Sequence, residues 1–480
     1  MIEQTREDIR QSGEFEVVID DFGFKGEGYV RLADGWLSVP GALPGERVRV
    51  RVEPGQPPRS RRVFAQVQEV LKAAPQRQDP RCRRDAVCRG CQLRHLTIAA
   101  ELEFKVRTVR EVIERYAGLA EENQPQIEVV TPQPIARGDA FRIRSRLTYL
   151  RRGDDFELGL RTPVQQELIT MHDCPALTRP VQRLVAAVTE SLESAPTLPP
   201  DELMVDEALG VRHIAVAAPF YGVGLVNVEF TEAEDEEHFQ RFVDSDIIAD
   251  WLARLAENVP DKVGVAVHSG AFRRHIAGPE RIRIPIDKWQ MEVGFDDWFH
   301  ATLEPAEVVY AKMLEWLDLE EEDRLLDLGC GTGTISLMTS ERVEEVVGLD
   351  VNPASIEAAE LNAVAHGREN VRFVVGGWEK AVRELAMNDV RFTVATINPM
   401  REPLGHRPLA FLEVLGVERL VYLGPSPEAA SKDIGLLREM GWEIRHLGAG
   451  NLHPATYHTM LMAYLERPGD TDDSDDRSEI

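Results

Sequence analysis

The sequence predicts a doubly wound α/β domain near its C-terminus, preceded by a small β-barrel and a mixed α+β region. Three observations predict this. Helical and strand patterns alternate cleanly from about residue 300 to 467, a buried strand there runs into a glycine-rich turn, and short strands with Gly/Pro turns fill residues 13–73. A chain of 480 residues with 43% hydrophobic residues can build about three domains of ~150 residues.

The first region reads as four short strand patterns: EFEVVIDD, GYVRLADGWLSVP, ERVRVRVEP and RVFAQVQEVL. Their alternation and the turns between them predict a small β-barrel over residues 13–73, after an N-terminal tail at 1–12. Residues 96–120 have apolar side chains at helical spacing and few helix breakers, so we expect a helix there.

The ten-residue segment CRRDAVCRGC contains three cysteines, Cys82, Cys88 and Cys91. Three neighbouring thiols cannot all pair with one another as disulfides, and structural zinc sites usually show two short Cys/His pairs. Three close cysteines and a distant fourth, Cys174 in MHDCPAL, can supply the four thiolates of an iron–sulfur cluster. The spacing favours a cluster, with zinc as the alternative; Cys330 has a context of its own.

The middle of the chain, residues 127–295, mixes strand patterns such as FRIRSRLTYLRR, FELGLR and VRHIAVAAP with helical ones such as CPALTRPVQRLVAAVTESL. It predicts an α+β central domain that also includes residues 74–95. The tail at 468–480, which contains the segment GDTDDSDDRSEI, is acidic and has few apolar residues, so we expect it to be disordered.

The net charge is −27, and only eight of the 55 basic residues are Lys. This balance suits either a surface adapted to high salt or an ordinary acidic cytosolic protein. The N-terminus lacks an apolar signal region, and no run of about 18 apolar residues occurs, so we expect a cytoplasmic protein without a membrane segment.

The Arg residues are clustered in spite of the acidic balance. Guanidinium groups suit phosphates and base edges, so the clusters predict an RNA-facing surface; the alternative is that they pair with the abundant carboxylates. The clusters are Arg59, Arg61 and Arg62; Arg81, Arg83, Arg84, Arg89 and Arg94; Arg142, Arg144, Arg146, Arg151 and Arg152; and Arg273, Arg274, Arg281 and Arg283.

The segment RLLDLGCGTGTISL predicts a buried strand, a glycine-rich turn and a helix. Glycines in such a turn let the backbone bend sharply and approach a ligand. A second strand follows and ends at Asp350, where a carboxylate can accept both ribose hydroxyls of a nucleoside. The D-x-G-x-G-x-G pattern resembles the class I S-adenosylmethionine methyltransferases, which are Rossmann-like. The cofactor-binding candidates are Asp327, Gly329, Gly331, Gly333, Thr334, Asp350 and Asn398, while Cys330 is interpreted as a packed thiol.

Taken together, these motifs resemble the RNA uracil-C5 methyltransferases, which make 5-methyluridine in tRNA and 23S rRNA. The resemblance runs from about residue 13 to 467. It implies an RNA-binding TRAM (OB-like) barrel, a 4Fe-4S cluster on Cys82, Cys88, Cys91 and Cys174, and S-adenosylmethionine as cofactor. It also implies that residues 96–126 and 296–467 form the methyltransferase domain, with RNA as the partner. We expect a monomer.

In that family a Cys thiolate adds to C6 of uracil, C5 takes the methyl group, and a base removes the C5 proton. The strand that precedes the family's nucleophile resembles VYLGPSPEA here, which places Pro425 at the nucleophile position, with Ser426 beside it. The segment INPMREPLG matches the family's D-P-P-R-like motif, with Asn398 in place of Asp and with Arg401 retained.

Three further positions depart from the family pattern. His458 stands where the family has its catalytic Glu, His300 in WFHAT stands at a Gln position, and Gly377 stands at a cofactor contact. Arg401 and His458 are therefore the catalytic candidates. Two hypotheses remain: an RNA methyltransferase that uses another nucleophile or an acceptor atom needing no covalent addition, and a noncatalytic RNA-binding protein. A third, an electron carrier, lacks any feature pointing to a redox partner.

Overall fold

The computed structural model describes residues 5–54, 56, 60–84, 88, 90–133, 139–152, 155–161, 168–193, 210–388 and 390–468. Within this range the chain divides into two compact units. The first contains residues 5–108, residue 133 and the loop at 453–459; the second contains 109–132, 139–452 and 460–468. The acidic tail after residue 468 lies outside the described residues.

A six-stranded sheet forms the body of the first unit. After helix α1 (Arg6–Gln11) come β1 (Glu14–Val18), β2 (Asp21–Phe22), β3 (Gly28–Arg31), β4 (Trp36–Val39), β5 (Arg47–Val52) and β6 (Arg62–Lys72). The strand order is β1-β5-β6-β4-β3-β2, and β4 and β6 are the parallel pair. Alternate residues such as Val48, Val50 and Val63 face the core, which is the period-2 pattern seen in the sequence.

The sequence analysis predicted an N-terminal tail at residues 1–12, but residues 5–12 are ordered by a short helix. Thr5 caps α1 in a capping box with Asp8, and Ile9 is buried in the core of the six-stranded sheet. Arg6 also forms an ion pair with Asp34 at 2.9 Å. One buried apolar residue and a well-formed cap are enough to order this segment, and both are too short-range to stand out as a periodic pattern.

The cysteine segment and the first half of the helix after it, residues 98–108, also belong to the first unit. Leu93 and Leu96 pack with Leu43 and with Phe104 of helix α2 (Ile98–Ala117). The assignment of residues 74–95 to the central domain was therefore wrong. The cause is the apolar residues that follow the cysteines, which bury against the N-terminal sheet.

The first strand of the second unit is β7 (Ile127–Val130), and the elements of its central part follow. They are β8 (Arg144–Arg152), β9 (Asp155–Arg161), β10 (Leu168–Thr170), α3 (Arg179–Glu193), β11 (Val211–Phe220), β12 (Val223–Phe230), α4 (Glu236–Val243), α5 (Asp246–Asn258), β13 (Lys262–Ser269), β14 (Phe272–Ala277), β15 (Arg281–Ile286) and β16 (Trp289–Gly294). Seven of these strands form one sheet with the order β10-β9-β8-β11-β12-β13-β14. Helices α3 and α5 contribute Val185, Trp251 and Leu252 to its core, and β15 and β16 form a separate two-stranded hairpin.

The last part of the second unit alternates helices and strands, as the sequence predicted. Its elements are α6 (Leu303–Leu317), β17 (Arg324–Leu328), α7 (Thr334–Thr339), β18 (Glu345–Asp350), α8 (Pro353–Ala365), β19 (Val371–Val375), α9 (Trp378–Met387), β20 (Val394–Ile397), α10 (His406–Val414), β21 (Arg419–Gly424), α11 (Pro427–Glu439), β22 (Glu443–Gly450) and β23 (Met460–Glu466). Together with β7 the strands form an eight-stranded sheet with the order β19-β18-β17-β20-β21-β23-β22-β7, which confirms the doubly wound α/β prediction. Strands β17 to β21 are parallel, and β23 runs antiparallel to β21.

The predicted boundary at residue 127 was wrong by one strand. Strand β7 pairs in parallel with β22, so residues 127–130 extend the eight-stranded sheet instead of beginning the central domain. A strand of four residues carries no sign in the sequence of which sheet edge will accept it. Among the helices of the described residues, none combines the length and apolar character that crossing a membrane requires.

Candidate cofactor and acceptor site

The strand order of the large sheet reverses between β17 and β20, and ligands of open α/β sheets bind at such a switch point. Gly329 lies there with φ of +83°, and its N–H donates to the Leu349 carbonyl oxygen at 2.8 Å. A Cβ at Gly329 would stand 2.2 Å from the carbonyl oxygen of Asn398, the residue that follows β20. Only glycine fits at this crossing of two loops.

Asp350 is the last residue of β18, and two backbone donors fix its carboxylate. Oδ2 accepts from the N–H of Gly331 at 3.0 Å, and Oδ1 accepts from the N–H of Asn352 at 2.9 Å. The side chain is half-buried and lies beside the glycine turn. The structure thus brings together the predicted turn and the predicted carboxylate, at the position where a nucleoside ribose would bind.

Asp327, another predicted cofactor residue, is fully buried below the turn. Its carboxylate accepts from the hydroxyls of Ser336 in α7 at 2.6 Å and of Thr396 in β20 at 2.8 Å. Burial raises the pKa of Asp327 to about 6. This side chain ties β17 to the elements on either side of it. Thr334, which begins α7 directly after Gly333, is also buried.

Two tryptophans that the motif analysis did not single out flank the turn. The Cβ position at Gly331 is 3.9 Å from Cε3 of the half-exposed Trp298, and that at Gly329 is 3.2 Å from Cζ2 of Trp378. In the sequence Trp298 begins the segment WFHAT, and Trp378 directly follows Gly377. Their places beside His300 and Gly377, two positions that the resemblance had already singled out, were the available signal.

His300, the residue at the family's Gln position, is buried and hydrogen-bonded to the hydroxyl of Tyr310. Burial, with a contribution from the Arg144 charge, lowers the pKa of His300 to about 3, so the ring is neutral at physiological pH. Gly377 caps α9, and a Cβ there would meet nothing within 4 Å. The structure therefore leaves open space at the position where the family has a cofactor contact.

Two of the segments that carry predicted catalytic positions follow strands β20 and β21. Asn398 follows β20, and its N–H donates to the Leu328 carbonyl oxygen at 2.8 Å. Arg401, three residues on, is exposed. Pro425 follows β21, and the Ser426 side chain caps helix α11 by accepting from the Ala429 N–H at 3.5 Å. Ser426 thus has a local structural role.

A buried carboxylate holds the loop that carries Arg401. Asp433 of α11 accepts from the N–H groups of Leu404 at 2.8 Å and Gly405 at 3.0 Å, and from the Tyr422 hydroxyl at 2.6 Å. The sequence analysis did not identify Asp433, because an acid within an amphipathic helix gives no sign of being buried. The remaining catalytic candidate, His458, lies in the 453–459 loop of the first unit, with the Tyr457 ring 4.2 Å from its own.

The predicted cluster ligands are half-buried thiols. Cys82, Cys88 and Cys91 lie in the first unit and Cys174 in the second. Arg94 Nη2 lies 3.8 Å from the Cys91 sulfur, and four cysteine thiols are the donor set that a 4Fe-4S cluster takes. The donor chemistry therefore fits an iron–sulfur cluster. Among the described residues, however, no three His, Cys, Asp or Glu side chains converge as metal ligands, and residues 85–87 and 89 lie outside that range. The cluster stays a prediction.

Most of the Arg residues in the last two clusters are engaged by acidic side chains or backbone oxygens, as the alternative to RNA binding had proposed. Arg144 donates to the Phe299 carbonyl oxygen at 2.7 Å. Arg59 and Arg89 lie outside the described residues. The ion pairs are Arg146 with Glu229, Arg273 with Asp296, Arg274 with Asp244, Arg281 with Asp297, and Arg283 with Glu292.

Comparison with known proteins agrees with this architecture. Residues 319–419 match the family model described as a methyltransferase domain. The chain is 27% identical to the 23S rRNA (uracil(1939)-C(5))-methyltransferase RlmD of Pseudomonas entomophila, over 94% of this chain and 93% of that protein. It is 23% identical to an uncharacterized RNA methyltransferase of Clostridium tetani, over 96% of this chain and 98% of that protein.

A solved structure has the same fold over nearly the whole chain. It is the Pyrococcus abyssi tRNA (uracil-54, C5)-methyltransferase in complex with S-adenosyl-L-homocysteine, with a TM-score of 0.65 and 21% identity. The alignment covers 94% of this chain and 100% of that one. The fold is thus that of an S-adenosylmethionine-dependent methyltransferase. The resemblance to the RNA uracil-C5 methyltransferases that the motifs carry is confirmed by these relatives.

Proposed function

We propose that this protein transfers a methyl group from S-adenosylmethionine to a nucleotide of rRNA or tRNA. The observation that carries the proposal is the carboxylate of Asp350, fixed by backbone N–H groups beside the Gly329–Gly331 turn at the switch point of the sheet. A carboxylate so placed can accept both ribose hydroxyls, and the glycine turn leaves room for the rest of the cofactor. RNA is proposed as the acceptor because the relatives are RNA methyltransferases.

The cofactor assignment is tested by calorimetry with S-adenosylmethionine. Asp350→Ala should weaken binding roughly tenfold or more, since hydrogen bonds to a charged group contribute ~1.5–3 kcal/mol. Glu360→Ala is the matched control, because it removes an exposed carboxylate from the neighbouring helix α8. Equal affinities for the two variants, or no binding by the wild type at millimolar cofactor, would show that the pocket is wrongly assigned.

We propose further that the six-stranded sheet is a TRAM-like domain that binds unpaired RNA on one face. In the strand register Arg31 and Arg62 both lie opposite Trp36, one from each neighbouring strand. The Arg31 guanidinium lies 5.4 Å from the Trp36 ring centre, and Tyr29 packs edge-on against Trp36 at 5.4 Å. Exposed aromatic rings interleaved with arginines are the usual platform for stacking bases and pairing phosphates.

The next row of the same face is Tyr29, Ser38 and Phe64, as the register shows. The Tyr29 and Phe64 rings on either side of the buried Ser38 are half-buried, so part of each ring reaches the surface of this face. Trp36→Ala should weaken binding of a single-stranded RNA by ~1–3 kcal/mol, whereas Trp36→Phe should retain most of it. Unchanged affinity for Trp36→Ala would assign the RNA surface elsewhere.

The chemistry proposed for the acceptor differs from the thiolate route. Proline at position 425 offers no nucleophile, and the Ser426 hydroxyl caps a helix. Direct transfer to an atom that needs no covalent addition, a nitrogen or a ribose oxygen, is therefore the proposal, with Arg401 and His458 as the catalytic candidates. Mass mapping of rRNA and tRNA from cells with and without the protein distinguishes methyl transfer from a noncatalytic RNA-binding role. Only the loss of a transferase removes a methyl group from the RNA.

Two further expectations are kept as proposals. Cys82, Cys88, Cys91 and Cys174 would hold one 4Fe-4S cluster, a proposal supported by their spacing in the sequence and by the donor chemistry of four thiols. A cytoplasmic, monomeric protein remains the expectation from the sequence.

A further inference from the structure

Two oppositely charged side chains are buried side by side on helix α2, within the first unit. Glu101 and Lys105 stand one helical turn apart, with Lys105 Nζ 3.2 Å from Glu101 Oε1, and Lys105 is wholly inaccessible to solvent. Lysine is almost never fully buried unless it is paired, because its desolvation is costly. Neither residue belongs to the proposed cofactor or RNA sites.

Both side chains hold the backbone of the 453–459 loop, which belongs to the same unit. Glu101 Oε1 accepts from the Ala455 N–H at 2.9 Å, and Lys105 Nζ donates to the His453 carbonyl oxygen at 3.1 Å. The Ala455 carbonyl oxygen in turn accepts from the Leu93 N–H at 2.9 Å. The peptide groups around Ala455 are therefore fixed on both sides.

Ala455 adopts a left-handed backbone conformation, with φ of +61°, and is buried. This conformation is unfavourable for an L-residue with a Cβ, so it persists only where surrounding contacts determine it. The bonds from Glu101, Lys105 and Leu93 are such contacts. Strained backbone held by a buried ion pair indicates a loop whose exact conformation matters.

A short series of hydrogen bonds connects this anchor to His458. The His453 carbonyl oxygen that receives Lys105 also accepts from the Thr456 hydroxyl at 2.8 Å. The Thr456 hydroxyl oxygen accepts from the His458 N–H at 3.3 Å. The backbone of His458 is thus three hydrogen bonds away from the Lys105 ammonium group.

We infer that Glu101 and Lys105 are positioning residues that lock the 453–459 loop in one conformation and so fix the place of His458. The anchoring part of this inference stands on the contacts alone. Its consequence for methyl transfer rests on the proposed function.

The anchoring is tested by hydrogen–deuterium exchange of the full-length protein. Lys105→Met keeps the apolar stem and removes the ammonium, so amides of residues 453–459 should exchange about tenfold or more faster. The control is Arg77→Met, which breaks a different buried ion pair in the same unit, with Glu46 at 2.5 Å. That variant should leave exchange in the loop unchanged.

Because a single variant leaves a buried charge unpaired, Glu101→Gln/Lys105→Met is the second variant, which has no unpaired charge and should fold. It should also show fast exchange in the loop. Slow, wild-type exchange in folded Lys105→Met and in the double variant would overturn the inference, and so would equal acceleration of the loop by Arg77→Met.

The positioning part is read from kinetics. Both variants should lower kcat for methyl transfer while KM for S-adenosylmethionine stays unchanged, since the cofactor residues lie in the second unit. A released loop with wild-type kcat would overturn the positioning of His458. If the wild type itself transfers no methyl group, the proposed function fails, while the exchange measurement still decides whether the pair anchors the loop.

Discussion

Replacement of Gly329 by alanine is the sharpest test of the glycine turn. Gly329 has φ of +83°, a region that costs an L-residue roughly 1–2 kcal/mol. The new methyl group would stand 2.2 Å from the Asn398 carbonyl oxygen, which is backbone and cannot swing away as a side chain would. Relieving such an overlap typically costs another ~1–3 kcal/mol. We therefore expect Gly329→Ala to lower the free energy of unfolding by about 2–5 kcal/mol.

Two alanine variants separate the contributions. Gly331 has φ of +53°, and its nearest neighbour is Trp298 at 3.9 Å, so Gly331→Ala should cost only the backbone part, ~1–2 kcal/mol. Gly377→Ala should change stability by less than about 0.5 kcal/mol, because nothing lies within 4 Å of its Cβ position. Urea denaturation followed by circular dichroism gives the three values, and calorimetry gives the affinity for S-adenosylmethionine.

The ranking of the three variants by free energy of unfolding tests the geometry of the glycine turn. Equal stabilities of Gly329→Ala and Gly377→Ala would mean that β17 and β20 do not approach as closely as the structure shows. A stable Gly329→Ala variant that still binds the cofactor like the wild type would refute the role of this turn as the cofactor's cradle.

Three other predictions follow from the site. The buried Asp327 carboxyl has a pKa of about 6, above its usual value of 3.8, because burial disfavours the charged form, so between these pH values the folded protein retains a proton that the unfolded chain loses. The free energy of unfolding should therefore fall by up to about 3 kcal/mol as pH rises from about 4 to 6, and then level off. In urea denaturation, Asp327→Asn should remove this component of the pH profile. An unchanged profile would contradict the raised pKa of Asp327. Anaerobic purification should give a brown protein that bleaches in air, whereas a colourless anaerobic sample with one zinc per chain would exclude the cluster. RNA containing 5-fluorouridine should form no covalent adduct with the protein. A denaturation-resistant protein–RNA band on a gel would show that another nucleophile exists, with Ser426 the first residue to replace. Pro425→Cys alone should not restore full activity, because Asn398 and His458 still differ from the family's Asp and Glu.

Local patterns predicted the elements of the site well. The glycine turn and the strand ending at Asp350 lie where the sequence placed them. Each is encoded by neighbours: apolar residues for a buried parallel strand, glycines for a sharp turn, and a polar residue at the strand's end. Because parallel strands present their carboxyl ends at one edge of a sheet, the turn and the Asp350 carboxylate meet there.

The sequence by itself determined the doubly wound fold, the glycine turn and the departures at positions 398, 425 and 458, because each of these depends on short-range pattern or residue identity. The tertiary structure alone decided that Ile9 belongs to a core, that β7 completes the large sheet, and that Glu101, Lys105 and Asp433 are buried with loop backbone as their partners. A charged residue on a helix looks the same in sequence whether it faces water or a distant loop. Its burial depends on contacts between residues hundreds of positions apart, such as Lys105 and His453, and only the folded chain brings these together.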